Sequence, residues 1–374
     1  MPVSRNYQWG FSRVDVIVLS AIVALSASLV LPAVQRARES ARRAQCQSNL
    51  QTLGIALHAY HDAAQSFPPA VIWSGPPGEP WLEGLSPIGW YDRVAMGKAP
   101  TSERDRVCAN WLIMLLPALH QEELARAYNS DVPVADPANA GVRTAELAVV
   151  KCPSDAFNTH LNHYVRDLIA GSHSNEYARG NYGINAGPDR GCFIEKHRGC
   201  SDGLHVDSTD LAHKNLVVWG TGFAGFNYCI SLKDIKNGIS NMVAVDEIRA
   251  GIDPADPRGS WALGFPGASL TFRHGLVSKA EDAHGPNNAD PDSDDIVGCK
   301  DMRDRMGRAY LSSVGMPCHS NRPESNAQAT SRSMHPSGVN VLLADGAARF
   351  VSDAIDPDIW YSIHSLSAKP SEDW

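Results

Sequence analysis

None of the cysteines in this chain is arranged C-x-x-C, which argues against a zinc ribbon and against a thioredoxin-type redox motif. There is no G-x-x-x-x-G-K-[ST] phosphate loop, no H-E-x-x-H and no G-x-S-x-G. The local signatures of nucleotide hydrolysis, zinc proteolysis and serine hydrolysis are therefore missing. A triad assembled from distant segments would leave no such trace. Positive charge is also scarce. Lys plus Arg number 33 against 41 Asp plus Glu, a net charge of −8. No basic stripe lies outside the N-terminal segment, so nucleic acid is not an expected partner. Charge of either sign vanishes over one stretch, the 19 residues from Val16 to Val34.

As a helix that stretch spans about 28 Å, one hydrocarbon core. A polar, helix-favouring run continues to about Ala64. Its apolar positions Val34, Ala37, Ala41, Ala44, Leu50, Leu53, Leu57 and Tyr60 recur at three and four, the period of an amphipathic helix. The chain thus reads as a membrane-threaded stalk over 11–64 carrying a soluble body. Pro32 removes one helix hydrogen bond. Arg5 and Arg13 precede the apolar run and Arg36, Arg38, Arg42 and Arg43 follow it, so the positive-inside rule does not fix orientation. The four later arginines read as a solvated helix face, with lipid head groups as the alternative contact. His58 and His61 read as helix-surface or interface residues rather than metal ligands.

Eight cysteines on a body exported past a membrane segment point to disulfides. Cys192 with Cys200 would close a short loop, and Cys299 with Cys318 an Asp-rich one. Pro and Trp crowd 66–100, where Trp73, Trp81 and Trp90 read as packing residues, with glycan contact as the alternative. A second helix is predicted over 108–129, broken near Pro117, and a short strand over 147–151. Strands are also predicted over 214–220 and 242–248, a turn-rich stretch over 180–187 and a polar insert over 253–316. Val339–Ala344 and Ala347–Val351 flank Asp345-Gly346, which predicts a hairpin with a two-residue type I′ turn. Asp356-Pro357 predicts a capped terminal helix.

Asp290, Asp292, Asp294 and Asp301 have the one-three-five-twelve spacing of a calcium loop. Asp295 stands where glycine is expected and Pro291 intrudes. A solvated acidic loop is the first reading and calcium the second; no other cofactor is expected. His335 and Asp345 read as turn residues, His335 tying its turn to the hairpin. Metal or ligand binding is the alternative reading, and catalysis the remotest. No reaction is predicted.

Gly10-Phe11, Asp15 and the apolar run containing Pro32 resemble a type IV prepilin or pseudopilin N-terminus. That resemblance implies a leader over 1–10, cleavage after Gly10 by a prepilin peptidase and methylation of Phe11. It implies that Asp15 pairs with the amine of a neighbouring subunit, since a carboxylate in hydrocarbon is costly unless paired. Asp15 stands where the family usually has Glu, and Arg13 where an apolar residue is usual. An Arg13–Asp15 pair at the membrane edge is the alternative.

A second resemblance covers most of the chain. CQSNLQTLGIALHAYHDAAQSFPPA, WLIMLLPALHQEEL, CPSD at 152–155, NYGINAG at 181–187, NGISNMVAVDE at 237–247 and DDIVGC at 294–299 occur in that order. His335, nine residues and then Asp345-Gly346 complete the set. Together they resemble the bacterial family called domain of unknown function 1559, which pairs a prepilin-type N-terminus with an H-x9-D-G signature. The resemblance implies an α+β, pilin-like fold, with a long N-terminal helix on an antiparallel sheet and large loops. It implies no known reaction. Cys46 and Cys152 both lie in family motifs, and a bridge between them would clamp the stalk to the body. The expectation is a single-pass inner-membrane protein with its body in the periplasm or at the cell surface. It would join a filament or secretion pseudopilus made of itself or of other pilin-like subunits. The rival is an uncleaved, signal-anchored binding protein, and the last choice is an anchored hydrolase.

Overall fold

In the computed structural model the apolar run and the polar run are two halves of one helix, α1 (Arg13–Ala64), continuous through Pro32. The structure describes residues 13–73, 107–165, 176–188, 220–226, 228–272, 285–296, 298–319 and 328–366. The two halves of α1 differ in burial. None of its most apolar 18-residue window is buried. Burial begins at Cys46 and continues through Asn49, Leu50, Leu53, Gly54, Ala56 and Leu57, the three-and-four spacing that lays one helix face on a core. Val34, Ala37, Ala41 and Ala44 are exposed, so the docked stretch is shorter than the periodic pattern predicts.

The docked half lies on a five-stranded sheet built from β5 (Tyr182–Asn185), β6 (Val243–Glu247), β7 (Leu270–Thr271), β8 (Gly338–Leu343) and β9 (Ala348–Ser352). Its order is β7-β5-β6-β8-β9. The β7–β5 pair is parallel and the other pairs are antiparallel. Side chains along β8 alternate between two clusters. Leu342 packs in the main core with Leu50, Leu53 and Leu57 of α1. Val339, Val341 and Leu343 pack with Trp360 and Ile363 of α7 (Pro357–His364). The sheet thus lies between α1 and α7. Asp356 caps α7 by accepting from the backbone N–H groups of Asp358 and Ile359.

Smaller elements close the ends. β1 (Val71–Trp73) pairs with β2 (Val107–Asn110), and β3 (Tyr164–Val165) with β4 (Glu176–Tyr177). The predicted second helix is several pieces. β2 occupies its start, then come α2 (Trp111–Leu115), a 3-10 turn at Pro117–Leu119 and α3 (Glu122–Ala127). Asn110 sets the first break, because its side chain caps α2 while donating to the Trp261 carbonyl. A short α4 (Ala140–Arg143) follows. The predicted strand at 147–151 is a 3-10 turn at Ala148–Val150.

Two corrections concern the sheet and its surroundings. The turn-rich reading of 180–187 fails, because Tyr182–Asn185 is the buried strand β5. The polar-insert reading of 253–316 fails over its first part, where Trp261, Leu263, Phe265 and Leu270 join the main core. The rest carries α5 (Cys299–Met306) and α6 (Arg308–Ser313) over a third cluster that includes Ile296, Met302 and Leu311.

The hairpin is where the sequence puts it, but its turn differs. Only Gly346 has a positive φ, +89°, and Asp345 does not. Gly346 N–H donates to Leu343 O (2.9 Å) and Leu343 N–H to Ala347 O (2.8 Å). That is a three-residue loop with glycine in the left-handed position, not a two-residue type I′ turn. Asp345 Oδ1 accepts from Ala347 N–H at 2.8 Å.

Candidate functional site: the clamp where the helix leaves the body

Cys46, the first fully buried residue of α1, is bonded to Cys152. Cys152 opens a tight turn, Cys152–Asp155, closed by Asp155 N–H donating to Cys152 O. Each polar residue of that turn has a task. Cys152 N–H donates to Asn181 Oδ1 (2.9 Å). Asp155 Oδ2 accepts from Asn181 Nδ2 (2.7 Å) and from Ala250 N–H (2.8 Å). Ser154 Oγ donates to Glu39. From β5, the Tyr182 hydroxyl donates to Cys46 O at 3.1 Å. Asn49 Nδ2 donates to Lys151 O at 2.8 Å.

His335 sits against this disulfide with its side chain fully buried. Its Nδ1 donates to Glu39 Oε1 at 2.6 Å. Its Nε2 lies 3.4 Å from Cys152 Sγ and 3.2 Å from Glu247 Oε1. The second distance is that of an ion pair, without the angles of a hydrogen bond, and Glu247 Oε1 has no hydrogen-bond partner. The other oxygen, Oε2, accepts from Asn340 N–H at 2.6 Å. Burial by itself lowers the His335 pKa, but the Glu247 and Glu39 carboxylates outweigh it and leave it raised. Glu39 is the reciprocal case: burial raises it, while His335 and Arg42 hold it below the ordinary carboxylate range. Arg42 donates to Glu39 Oε2 at 2.7 Å from the next turn.

Strings of sequence that are far apart therefore meet at one place: the start of the docked helix, CPSD, NYGINAG, the Glu of NMVAVDE, and His335. Residues 35–358 match the family described as a protein of unknown function, DUF1559. The chain belongs to that family. Neither the curated proteins nor the solved structures contain a match. Membership in DUF1559 together with the apolar N-terminal helix marks a membrane-anchored or secreted extracytoplasmic protein. The helix is compatible with single-pass anchoring and equally with a signal sequence.

In this DUF1559 chain the two parts of the H-x9-D-G signature do different work. The His335 ring does not tie its own turn to the hairpin; it reaches α1 and β6. Asp345-Gly346 meets α1 further along. His58 Nε2 lies 3.0 Å from Ala344 O. A Cβ on Gly54 would stand 3.2 Å from Gly346 Cα and 3.1 Å from Leu342 Cδ1. His58 and His61 face different partners: His61 Nε2 accepts from Leu232 N–H.

The aspartates of the calcium reading face different partners. Asp294 is buried and pairs with Arg258 and Arg332. Asp292 pairs with Arg303, Arg308 and His319, and Asp290 Oδ1 caps Asp292 N–H. Asp301 lies in the first turn of α5. The Cys299–Cys318 bridge is formed as its spacing suggests. Asp15 lies in the first turn of α1. Gly10, Phe11, Cys192, Cys200, Trp81, Trp90 and most of the 214–220 strand lie outside the described residues, as does the Trp73 side chain.

Sequence reasoning missed Glu39, Glu247 and Asp246. Asp246 is buried and accepts from Ser331 Oγ (2.6 Å) and from Thr271 Oγ1 (2.5 Å), with His364 Nε2 at 3.0 Å. Asp246 thereby links His364 of α7 to Ser331 and to Thr271 of β7, locking α7 to the sheet. The one available signal is the Asp-Glu pair that follows the apolar run MVAV in the predicted strand over 242–248, where unpaired carboxylates are costly if buried.

Proposed function

We propose that this protein is a non-enzymatic, membrane-anchored member of the pilin and pseudopilin class. The exposed apolar half of α1 sits in the inner membrane, and the body is held in the periplasm or at the cell surface. One observation carries the reading: a single continuous helix has an exposed apolar half and a docked half that is covalently clamped. A free apolar surface of that length needs a lipid or helix partner. A disulfide at the exit point passes any pull on the anchor straight to the body. The long helix on a sheet that is antiparallel except for its β7–β5 pair supports the pilin likeness. The partners proposed are the membrane, a prepilin peptidase, and further copies of this chain or other pilin-like subunits, packed stalk to stalk with Asp15 against a neighbour's amine.

Intact N-terminal mass spectrometry of the protein from its native membrane tests this. A chain starting at methylated Phe11 is the expected result. A start at Met1 or Pro2 overturns it in favour of an uncleaved, signal-anchored binding protein. Arg13, which opens α1, favours that second reading, because a cation disfavours close packing of apolar stalks.

A further inference from the structure

We propose that the reduced chain binds one zinc ion at the clamp, through Cys46, Cys152, His335 and Glu247. Among the described residues these four side chains bring one ligand atom each within 4.8 Å of one another, and all four are buried. Two thiolates, an imidazole and a carboxylate form a donor set that suits four-coordinate zinc. The spacing fits as well. Ordinary zinc–ligand lengths in a tetrahedron put sulfur about 3.5 Å from nitrogen and nitrogen about 3.4 Å from oxygen. His335 Nε2 stands 3.4 Å from Cys152 Sγ and 3.2 Å from Glu247 Oε1.

Two further observations point the same way. Glu247 is 1% exposed, and its Oε1 meets His335 Nε2 at ion-pair distance without hydrogen-bond geometry, so the hydrogen bonding of this buried oxygen is incomplete. A metal ion between the two side chains would take both atoms as ligands. The supporting contacts are those a zinc site requires. Metal-bound histidines give their other ring N–H to a carboxylate, and bound carboxylates are themselves hydrogen-bonded. His335 Nδ1 donates to Glu39 (2.6 Å), and Glu247 Oε2 accepts from Asn340 N–H (2.6 Å).

The disulfide and the zinc ion exclude each other. A dithiol reductant opens the Cys46–Cys152 bond. Two electrons and two protons pass to the cysteines, and the reductant leaves as its own disulfide. Zinc then displaces both thiol protons and any proton on His335 Nε2, while the sulfurs separate to about 3.8 Å. Either linkage holds α1 to the turn at Cys152. The metal form would serve the chain before oxidation or after reduction.

The test uses the full chain in detergent, reduced with a phosphine and loaded with zinc alone. One zinc per chain is expected, against none for the oxidised protein. X-ray absorption of the loaded wild type should give two sulfur ligands at about 2.3 Å and two nitrogen or oxygen ligands at about 2.0–2.2 Å. Glu39→Gln should weaken zinc binding about 10–100-fold, and Glu247→Gln and His335→Ala by more, although each keeps every cysteine. The proposal is overturned by uptake no greater than that of reduced Cys46→Ser/Cys152→Ser, by an all-sulfur or sulfur-free ligand shell, or by unchanged binding in both ligand variants. The wild-type ligand count decides the matter even where a variant fails to fold.

Discussion

Replacing Cys46 and Cys152 together by serine is the sharpest perturbation of the clamp. Serine is close to cysteine in size, so the packing change is small and the loss is mainly that of the cross-link. The bridge joins residues 106 apart in sequence. In the chain-entropy account a loop on the order of 100 residues contributes about 4.7 kcal/mol. The Cys299–Cys318 bridge, with a separation of 19, contributes roughly 3 kcal/mol on the same account. The two loops do not overlap, so the effects should add. At roughly 2.1 cal/mol/K per residue, a chain of 374 residues shifts by about 1.3 °C per kcal/mol, so the clamp variant should melt about 6 °C lower and the other serine pair about 4 °C lower. Circular dichroism of the full chain in detergent reads both. Hydrogen exchange adds the location. Upstream of Cys46 the helix has no buried residue to hold it, so exchange should rise over 39–50, while Leu53 and Leu57 keep their protection. If the clamp variant melts no lower than the Cys299→Ser/Cys318→Ser variant, or exchange rises evenly along α1, the reasoning is wrong.

Two further outcomes are expected. Gly54→Val forces methyl groups into Leu342 and the backbone of Gly346; overpacking should cost about 1–3 kcal/mol despite valine's better helix propensity, and an unchanged denaturation midpoint would contradict the close approach. Asp256 is fully buried; burial raises its pKa, but Arg258 and Arg179 outweigh this and depress it. Its stabilisation is therefore present above the unfolded carboxyl pKa of about 3.9 and is lost as pH falls through the lower folded value. Asp256→Asn should flatten the acid limb of the stability profile and cost about 3–5 kcal/mol at neutral pH, read from urea midpoints between pH 2 and 7.

How much of this fold is legible in the sequence depends on whether its cues are local. The docked helix face, the Asp-Gly hairpin and the Asp-Pro cap of α7 rest on residues within a few positions of each other; the last two are found where expected, and the helix face from Cys46 onward. The turn type was lost because Asp-Gly serves both a type I′ turn and a loop ending in a left-handed glycine. β5 was lost for another reason. It is buried along its whole length between β7 and β6, so it lacks the alternation that marks a half-exposed strand, and its Gly and Asn read as a turn. Residues 253–272 looked polar because Arg258 and Asp256 are there, yet these two pair with each other in the interior. The clamp is the extreme case. Its Glu39, Cys152, Glu247 and His335 come from four distant segments, and only the family resemblance joined even Cys46 to Cys152.

The spacing in H-x9-D-G also follows from the geometry. His335 meets α1 at Glu39, and Gly346 meets it at Gly54, fifteen residues further on. At 1.5 Å per residue those two points on the helix lie about 22 Å apart. Between His335 and Gly346 runs β8, six residues of extended chain, about 20 Å long at 3.3 Å per residue. The strand and the docked half of the helix therefore have matching lengths, and the signature fixes the strand at both ends. One residue more between His and Asp would turn Leu342 away from α1 and Val341 towards it, because strand side chains alternate. Two more would restore the faces but carry His335 about 6.6 Å along the sheet, beyond the reach of Glu39 and the disulfide. The nine-residue spacer thus measures the length of helix that the body holds, without any need for the two signature residues to share a site.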